Sequence, residues 1–415
     1  MTPIIGAIAD DFTGAVDLAT TLVARGYRTR VYFGLPDPGQ HPGGADAVVI
    51  GLKTRSAPVA DAVAESRAAL AILRGLGLSS IYDKYCATFD STPEGNIGPI
   101  LDALMSDLGV DRTVVVLPFP EAGRTMYQGH LFVHGIPLDE TSMRDHPLTP
   151  MTDSRIARLL TPQTNRPVHE LRLKEVGQGA ASIADRLTEL GPGITVIDAI
   201  GRRDLDEIAS ALVNAPLVSG GAGLAASLPH AGQLDDVRVA PLDGGCVVLA
   251  GSASQETQRQ LAIARAVLPA FKLNLDALRA DFDGAIRDIV FWVAENRRAA
   301  TSPVMIYATG DPADVDRAAA DSATLVEKTL AAIARQLVAD GVRRIIVAGG
   351  ETSGSVTQAL GVRSFDVSAP LSPGIAWARA QTPDGIDLDL LLKSGSLGTE
   401  DIFLTAWAAG APLGV

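Results

Sequence analysis

The chain has 415 residues, of which 47% are hydrophobic and 20% charged, and its formal net charge is −13. This length exceeds one typical hydrophobic core, so the sequence predicts two domains. The acidic balance argues against nucleic acid as a partner, because phosphate backbones are bound by a surplus of Lys and Arg. It does not argue against a small anion, since a few amides and cations can hold a phosphate locally.

Neither a membrane span nor a secretory leader is expected. No apolar run approaches the length of a transmembrane helix, and the first residues are predicted to form a strand rather than a basic and apolar leader. The two cysteines, Cys86 and Cys246, are far apart and do not suggest a disulfide framework. We therefore expect a protein of the reducing cytoplasm.

The first predicted strand, residues 4–9, runs into the polar turn Asp10-Asp11-Phe12-Thr13-Gly14. A helix over residues 15–25 is expected to follow, with Asp11 or Thr13 as its N-cap. Such a turn lies at the carboxyl end of a parallel strand, where open α/β sheets bind ligands. Two adjacent carboxylates are more than one helix cap needs, and this excess favours a functional role.

Strands and helices alternate through the rest of the first half of the chain. Residues 126–139 are predicted to form a β-hairpin that turns at His134-Gly135. The alternation implies right-handed βαβ units and a mainly parallel sheet. The predicted strands are 29–33, 47–50, 81–85, 113–117, 168–171, 194–198 and 217–218, and the predicted helices are 59–74, 97–108, 180–190 and 205–213, with further helices near Ser154 and after the glycine-rich turn 219–223.

A stretch rich in Pro, Gly and Asp interrupts the alternation of strands and helices before residue 245. It predicts a linker at 231–244. The first domain is therefore expected at 1–230 and the second at 245–415. The predicted fold is α/β, with a mainly parallel sheet flanked by helices in each domain and an active site in the inter-domain cleft. The second domain is predicted to have strands at 246–250, 271–275, 303–307, 344–348 and 388–393, and helices at 286–297 and 321–340.

Three turns of small residues follow predicted strands of the second domain, at residues 251–257, 349–354 and 394–399. Small residues let backbone N–H groups approach an anion, and a helix N-terminus adds partial positive charge. One such turn is common for structural reasons alone, but three in one domain favour a phosphate-rich ligand. No P-loop or dinucleotide fingerprint is present, which argues against a dehydrogenase and predicts a nucleotide site of a less common kind.

Charged side chains of the first domain gather near the carboxyl ends of its predicted strands. This pattern suits a small hydroxylated anion, because cations would bind its carboxylate and carboxylates would bind its hydroxyl groups. Asp17 and Arg25, on the first helix, are assigned to solvent. The gathered residues are Asp10, Asp11, Lys53, Arg55, Asp83, Lys84, Asp90, Arg124 and His146.

A built-in metal site is not expected. His130 and His134 are close in sequence but are interpreted as structural, and the cysteines lack partners at zinc spacing. No serine elbow or catalytic triad can be assembled. The two domains together suggest phosphoryl transfer, in which Asp10 or Asp11 accepts the proton of the acceptor hydroxyl.

The opening stretch, residues 8–15, resembles the signature of the four-carbon acid sugar kinase family. The resemblance covers nearly the whole chain and implies an N-terminal substrate domain and a C-terminal nucleotide-binding domain. The loops 89–96 and 146–151 are most similar to the 3-oxo-tetronate kinase branch. Other similar segments are 82–86, 88–99, 123–125, 146–153, 348–354 and 392–395.

The resemblance implies ATP-dependent phosphorylation of the 4-hydroxyl of a 3-oxo-tetronate, with Mg²⁺ arriving with the nucleotide. Phosphorylation of D-threonate or D-erythronate, and a binding module without catalysis, are the alternatives; a homo-oligomer is left open. Arg55, Lys84 and Arg124 are expected to bind the substrate carboxylate and the developing phosphate charge. The other expected substrate contacts are Thr13, Asp90 and His146, and the expected ATP contacts are Ser252, Ser254, Gly349, Gly350, Glu351, Thr352 and Gly395.

Overall fold

The structure, a computed structural model, describes residues 5–37, 40, 42–78, 80–145, 149–232, 240–297, 302–309, 322–372, 374–395 and 397–408. The chain divides into two compact units, unit 1 (residues 1–236) and unit 2 (residues 237–415). This division falls within the segment 231–244 that was predicted as a linker. His146, an expected substrate contact, lies outside the described residues.

In its described part, unit 1 contributes strands that are all parallel to their neighbours, in the order β2-β3-β1-β4-β11-β5-β10-β9. A separate antiparallel sheet has the order β6-β7-β8. The strands are β1 (Ile5–Ala9), β2 (Thr29–Phe33), β3 (Ala47–Gly51), β4 (Ile81–Lys84), β5 (Arg112–Val116), β6 (Arg124–Tyr127), β7 (His130–Val133), β8 (Ile136–Pro137), β9 (Val168–Leu171), β10 (Gly193–Ile197) and β11 (Leu217–Gly220).

The helices of unit 1 lie largely where the sequence predicts them, and α3 and α6 have the predicted bounds. Helix α1 begins three residues before the predicted start, because Asp11 caps it. The helices are α1 (Phe12–Ala24), α2 (Val59–Gly75), α3 (Ile97–Leu108), α4 (Ile156–Leu160), α5 (Leu173–Val176), α6 (Ala180–Leu190) and α7 (Arg202–Ala211).

The connections between strands run in opposite directions on the two sides of β1. From β1 the chain crosses to β2 on one side, and from β3 it crosses back over β1 to β4 on the other side. Right-handed crossovers that run in opposite directions place their helices, α1 and α2, on opposite faces of the sheet. The carboxyl ends of β1 and β4 therefore form a topological switch point, the place where open α/β sheets bind ligands.

The core of unit 1 lies between the sheet and the helices α2 and α3. Leu70 and Leu73 of α2 and Leu104 of α3 pack with Ile8 and Ile50 of the strands, and all five are almost completely buried. Burial of each such side chain stabilises the fold by roughly 1.5–3 kcal/mol relative to exposure. This packing fixes the strand ends that carry the charged residues.

Unit 2 has the strand order β13-β14-β12-β15-β18-β17-β16. The strands from β13 to β18 in this order are parallel neighbours, whereas β17 is antiparallel to both β18 and β16. The elements are β12 (Gly245–Ala250), α8 (Gln255–Arg265), β13 (Ala270–Lys272), α9 (Leu275–Ala280), α10 (Phe282–Asn296), β14 (Val304–Tyr307), α11 (Ser322–Ala339), β15 (Val342–Ala348), α12 (Gly350–Ala359), β16 (Ser364–Ser372), β17 (Ile375–Gln381), β18 (Asp387–Lys393) and α13 (Ile402–Thr405).

Several predicted elements differ from the structure. The predicted hairpin at 126–139 is three strands with two turns, and the turn after residues 219–223 leads into a short 3-10 segment instead of an α-helix. The predicted strand 271–275 is wrong at its end, because Asn274 caps α9 through the amides of Asp276 and Ala277. Strands β16 and β17 were not predicted; β16 contains Pro370 and an irregular register, which hide its alternation.

Candidate active site

The turn after β1 is built on Asp11, which is the N-cap of α1. Its Oδ1 accepts a hydrogen bond from the Gly14 amide at 2.6 Å, and its Oδ2 accepts one from the Thr13 hydroxyl at 3.0 Å. Asp11 is thus the cap, and Thr13 supports the cap instead of providing it. The carboxylate of Asp11 is held at the positive end of the helix.

Arg55 joins the two adjacent carboxylates. Its Nε and Nη2 donate to the two oxygens of Asp10 at 2.8 and 2.9 Å, and its Nη1 lies 2.9 Å from Oδ2 of Asp11. The backbone prepares this contact, because the Thr54 and Arg55 amides donate to the Asp10 carbonyl oxygen at 2.9 and 3.2 Å. The cluster of one guanidinium and two carboxylates keeps one net negative charge.

Burial raises the pKa of Asp10 above its ordinary value, and the neighbouring Asp11 adds to that rise. The charge of Arg55 acts in the opposite direction but does not cancel the effect of burial. A buried carboxylate with a raised pKa is a better proton acceptor than an ordinary surface aspartate. Asp10 therefore suits the role of proton acceptor, and Asp11 has a structural role at the helix end.

Lys84 lies beside the same turn from the end of β4. It is the register partner of Ala9, and its Nζ donates to the Tyr85 carbonyl oxygen at 3.1 Å. Gly14 permits this position, since a Cβ on Gly14 would lie 3.2 Å from the ammonium. The side chain of Lys84 is only 3% exposed, so its charge is directed into the cluster and not into bulk water.

Asp17 was assigned to solvent, and that assignment is wrong. Its Oδ2 lies 3.7 Å from Nζ of Lys84, and burial raises its pKa while Lys84 and Arg124 lower it. Position 17 is one helical turn beyond Gly14, which directs the side chain back towards the start of α1. Arg25 is also not simply solvated, because its Nε donates to the Leu228 carbonyl oxygen at 2.7 Å.

Two other predicted residues have distinctive local structure. Arg124 begins β6 and donates to the Ala122 carbonyl oxygen, and its charge helps to lower the pKa of Asp17. Asp90 and Phe89 have left-handed backbone, with φ of 44° and 67°. Such backbone costs about 1–3 kcal/mol per residue and is concentrated at ligand sites.

Asp83, the residue before Lys84, is buried behind the cluster. It accepts a hydrogen bond from the Ser219 hydroxyl at 3.3 Å, and Ser219 also donates to the Tyr85 hydroxyl at 2.9 Å. Burial raises the pKa of Asp83 to about 7, with a further contribution from the charge of Asp10. The sequence placed Asp83 among the charged residues but gave no sign that its carboxyl would be so deeply buried.

The three small-residue turns of unit 2 lie side by side. They follow β12, β15 and β18, which are adjacent and parallel, so their carboxyl ends lie at one edge of the sheet. The chain reverses its winding between β12 and β15, which makes this edge the switch point of unit 2. The sequence predicted the turns but could not predict that they adjoin.

Ser254 connects the first turn to the third. It caps α8 by accepting from the Thr257 amide, and its hydroxyl donates to the Gly395 carbonyl oxygen at 2.6 Å. The Thr257 hydroxyl donates to the same oxygen at 2.8 Å. Thr257 was not among the expected ATP contacts, although its position three residues after Ser254 is that of an N-cap partner.

Glycine is required where these turns meet. Gly349, the N-cap of α12, has φ of 124°, and a Cβ there would lie 3.2 Å from the Ser252 amide nitrogen. A Cβ on Gly395 would collide with the Ser252 hydroxyl and lie 2.8 Å from that of Ser254. Gly350 and Glu351 follow as exposed first residues of α12, and Thr352 is buried behind Gly349. The arrangement is a cradle of backbone and hydroxyl groups, and groups of this kind at helix N-termini can bind phosphate.

Within the ranges given above, no cluster of three or more His, Cys, Asp or Glu side chains is arranged to hold a metal ion. In the same ranges, the helices are too short or too polar to cross a membrane. The thiols of Cys86 and Cys246 are free.

Comparisons with known proteins agree with this division of the chain. A family model described as a sugar-binding N-terminal domain matches residues 5–228, and one described as a nucleotide-binding C-terminal domain matches residues 247–403. The charged cluster lies in the first match and the three turns lie in the second.

Similar sequences and structures cover almost all of the chain. The 3-oxo-tetronate kinase of Cupriavidus necator is 44% identical over 97% of this chain and 96% of its own, and that of Salmonella typhimurium is 40% identical over 97% and 98%. A Salmonella typhimurium crystal structure, provisionally described as a tRNA synthase, has 40% identity and a TM-score of 0.90 over 97% of this chain and 98% of its own. A Haemophilus influenzae structure has 36% identity and a TM-score of 0.83 over 98% and 99%.

Proposed function

This chain belongs to the four-carbon acid sugar kinase family, and we infer that it is an ATP-dependent 3-oxo-tetronate kinase. The observation that carries the inference is the match to 3-oxo-tetronate kinases at 40–44% identity over nearly the whole chain. We assign the transferred phosphoryl group to the 4-hydroxyl of the sugar acid. The sugar acid and ATP are its small-molecule partners.

Asp10 is the proposed proton acceptor for this hydroxyl. Its raised pKa suits that role, and Arg55 orients both of its oxygens. Asp11 is proposed to position the turn through α1 and Thr13, although it remains close enough to Arg55 to share its charge. Phosphoryl transfer requires mainly positioning and charge stabilisation, so this modest chemical apparatus is sufficient.

Lys84 and Arg124 are the proposed cations for the substrate carboxylate. Arg55 was expected to share this role, but its three nitrogens already contact Asp10 and Asp11, so we propose that it orients the carboxylates. Asp17 and Asp90 are proposed to accept hydrogen bonds from substrate hydroxyl groups. His146 stays a proposed contact on the family resemblance alone.

The three turns of unit 2 are the proposed site for the ATP phosphates. Gly349, Gly395 and Ser252 approach one another so closely that side chains would fill the space, which supports a backbone cradle. Mg²⁺ would arrive bound to ATP and neutralise phosphate charge during transfer. The active site in an inter-domain cleft, the homo-oligomer and the cytoplasmic location stay predictions.

The proposal is tested by ADP release from purified protein supplied with ATP, Mg²⁺ and one acid at a time. The acids are D and L forms of 3-oxo-tetronate, threonate and erythronate. We expect turnover with a 3-oxo-tetronate. Faster turnover of a reduced acid would change the substrate assignment, and stabilisation by ligands without any ADP release would indicate a binding module.

Asparagine variants separate the roles of the two carboxylates. Asp10→Asn is expected to lower kcat by roughly 10²–10⁴-fold, the usual effect of losing a general base. Asp11→Asn is expected to lower thermal stability as well as kcat, because it loses the ion pair with Arg55 and the negative charge at the N-terminus of α1. Asp107→Asn is the matched control, since Asp107 forms a similar two-point pair with exposed Arg67. Full activity of Asp10→Asn would contradict its role as base.

A further inference from the structure

Lys393, the last residue of β18, contacts all three turns of the nucleotide site. Its carbonyl oxygen accepts from the Gly349 amide at 3.0 Å, which fixes the second turn. Its ammonium donates to the Thr257 hydroxyl at 3.2 Å, and so reaches the helix that follows the first turn. The same ammonium donates to the carbonyl oxygens of Ser394 and Gly395, in the third turn, at 3.1 and 3.4 Å.

The charge of this lysine is buried without a matching carboxylate. The residue is 0% exposed, and its ammonium lies 5.7 Å from the centre of the Phe403 ring. All the side-chain hydrogen bonds described for it go to neutral oxygens, and no Asp or Glu of the described residues forms an ion pair with it. A buried charge with this environment is costly and is rarely retained for stability alone.

The electrostatic environment supports the same view. Burial lowers the pKa of Lys393 to about 8, and the carboxylate of Glu256, on α8, opposes this fall. Near neutral pH most molecules therefore still hold a positive charge beneath the turns. Glu256 forms no ion pair with Lys393 in the described part of the chain, so a nucleoside triphosphate would add negative charge close to this ammonium.

The carbonyl oxygens of Ser394 and Gly395, which accept from the ammonium, indicate a second role for Lys393. A carbonyl oxygen that faced a phosphate would repel it, whereas one that is bound to a buried ammonium is drawn towards the protein interior. The Gly395 oxygen accepts from Lys393, Ser254 and Thr257 together, so the third turn is held firmly in one orientation.

We propose that Lys393 is a positioning residue for the nucleotide phosphates: it joins the three turns and supplies positive charge from beneath them without being exposed itself. This inference rests on the proposed function, because it takes ATP as the ligand of unit 2. It adds a residue behind the cradle to the glycine and hydroxyl groups that line it.

The test compares wild type with Lys393→Met, which keeps the length and loses the charge. Isothermal titration at 25 °C measures the Kd for ATP, and thermal unfolding without ligand measures Tm. We expect Kd to rise at least about tenfold, as for a unit charge that acts on phosphate through a few ångströms of protein. We expect Tm to be unchanged or higher, since replacing a buried charge by an apolar group of similar size often stabilises.

Controls separate this inference from the proposed function. Lys272→Met removes one charge from an exposed position of β13 and should leave Kd within twofold. If Lys393→Met does not fold, Thr257→Val removes a hydroxyl from the same network and should raise Kd about threefold, the effect of one neutral hydrogen bond. Wild type that binds no ATP would overturn the proposed function. Wild type that binds ATP, with a Lys393→Met Kd within twofold of it, would overturn the role of Lys393.

Discussion

At the scale of residues, the charged cluster of unit 1 shows how burial assigns different roles to similar side chains. Asp10, Asp11, Asp17 and Asp83 lie within one region, yet they differ in partner and in exposure. Asp11 caps a helix, Asp10 binds Arg55 at two points, and Asp83 accepts a hydrogen bond from a hydroxyl. Burial is the main cause of the raised pKa values of Asp10, Asp17 and Asp83, and the charges and hydrogen bonds of their partners modify that rise.

Asp83 gives a pH-dependent stability. Its carboxyl stays neutral in the folded chain up to about pH 7, whereas in the unfolded chain it ionises near 3.8. Between these pH values the folded chain holds a proton that the unfolded chain has lost. The free energy of unfolding therefore falls as the pH rises from 3.8, and the loss is complete once the pH has passed about 7. Relative to wild type, Asp83→Asn should gain roughly 2–3 kcal/mol between pH 5 and pH 8, as measured by urea unfolding.

The control for this experiment is Asp107→Asn. Asp107 pairs with Arg67, which lowers its pKa, so its carboxyl is ionised in both states across pH 5 to 8. Its stability difference from wild type should be flat over that range. A flat difference for Asp83→Asn as well would show that Asp83 is not held in its neutral form.

At the scale of elements, the two units share the same arrangement of strand, turn and capped helix. A buried parallel strand ends at a switch point, and the following turn is held by a side chain that caps the next helix. Asp11 has this role before α1 and Ser254 has it before α8. Caps at these positions do more than stabilise helices, because they also fix the direction of the groups that face the ligand.

Gly395→Ala tests the close approach of the third turn to the first. The added Cβ would collide with the Ser252 hydroxyl, so the turns must separate and the cradle must widen. We expect the KM for ATP to rise about tenfold or more, as when a ligand site is displaced by a fraction of an ångström to 1 Å. Gly75→Ala, at the end of α2 where a Cβ meets open space, is the control and should leave KM unchanged. An unaltered KM in Gly395→Ala would argue against the cradle.

At the scale of the whole molecule, the chain assigns its two substrates to two units. Unit 1 carries the sugar-binding match together with the cluster of cations and carboxylates, and unit 2 carries the nucleotide-binding match together with the turns. The acidic net charge of −13 makes local cations more important, since the molecule as a whole repels both anionic substrates.

This division predicts that a substitution in one unit weakens the binding of one substrate and leaves the binding of the other unchanged. Arg124→Ala should raise the KM for the sugar acid by about tenfold to a hundredfold, the usual effect of losing a hydrogen bond to a charged group. It should leave the Kd for ATP, measured by titration without the acid, within twofold of wild type. Gly395→Ala should have the reverse pattern. Equal losses of both ligands in both variants would contradict the division.

The sequence by itself predicted a two-domain α/β fold, most of its helices and strands but not β16 and β17, and the polar residues at the strand ends. Alternation of apolar strands with amphipathic helices predicts parallel α/β units, and helices such as α3 and α6 were predicted with their observed bounds. The paired Asp10 and Asp11 and the three small-residue turns were also apparent, because two adjacent carboxylates exceed what one helix cap needs and because three such turns occur in one domain. The family resemblance then gave the reaction class.

Which of these residues contact one another depends on the tertiary structure and could not be read from the sequence. Arg55 reaches Asp10 because the loop after β3 folds over the end of β1, and Lys84 reaches Asp17 because β4 is the register neighbour of β1. Strand order, burial and register arise from packing between residues far apart in sequence, and local patterns do not contain them. For the same reason, the burial of Lys393 and the raised pKa of Asp83 could not be predicted from the sequence, because both depend on the strands that pack beside them.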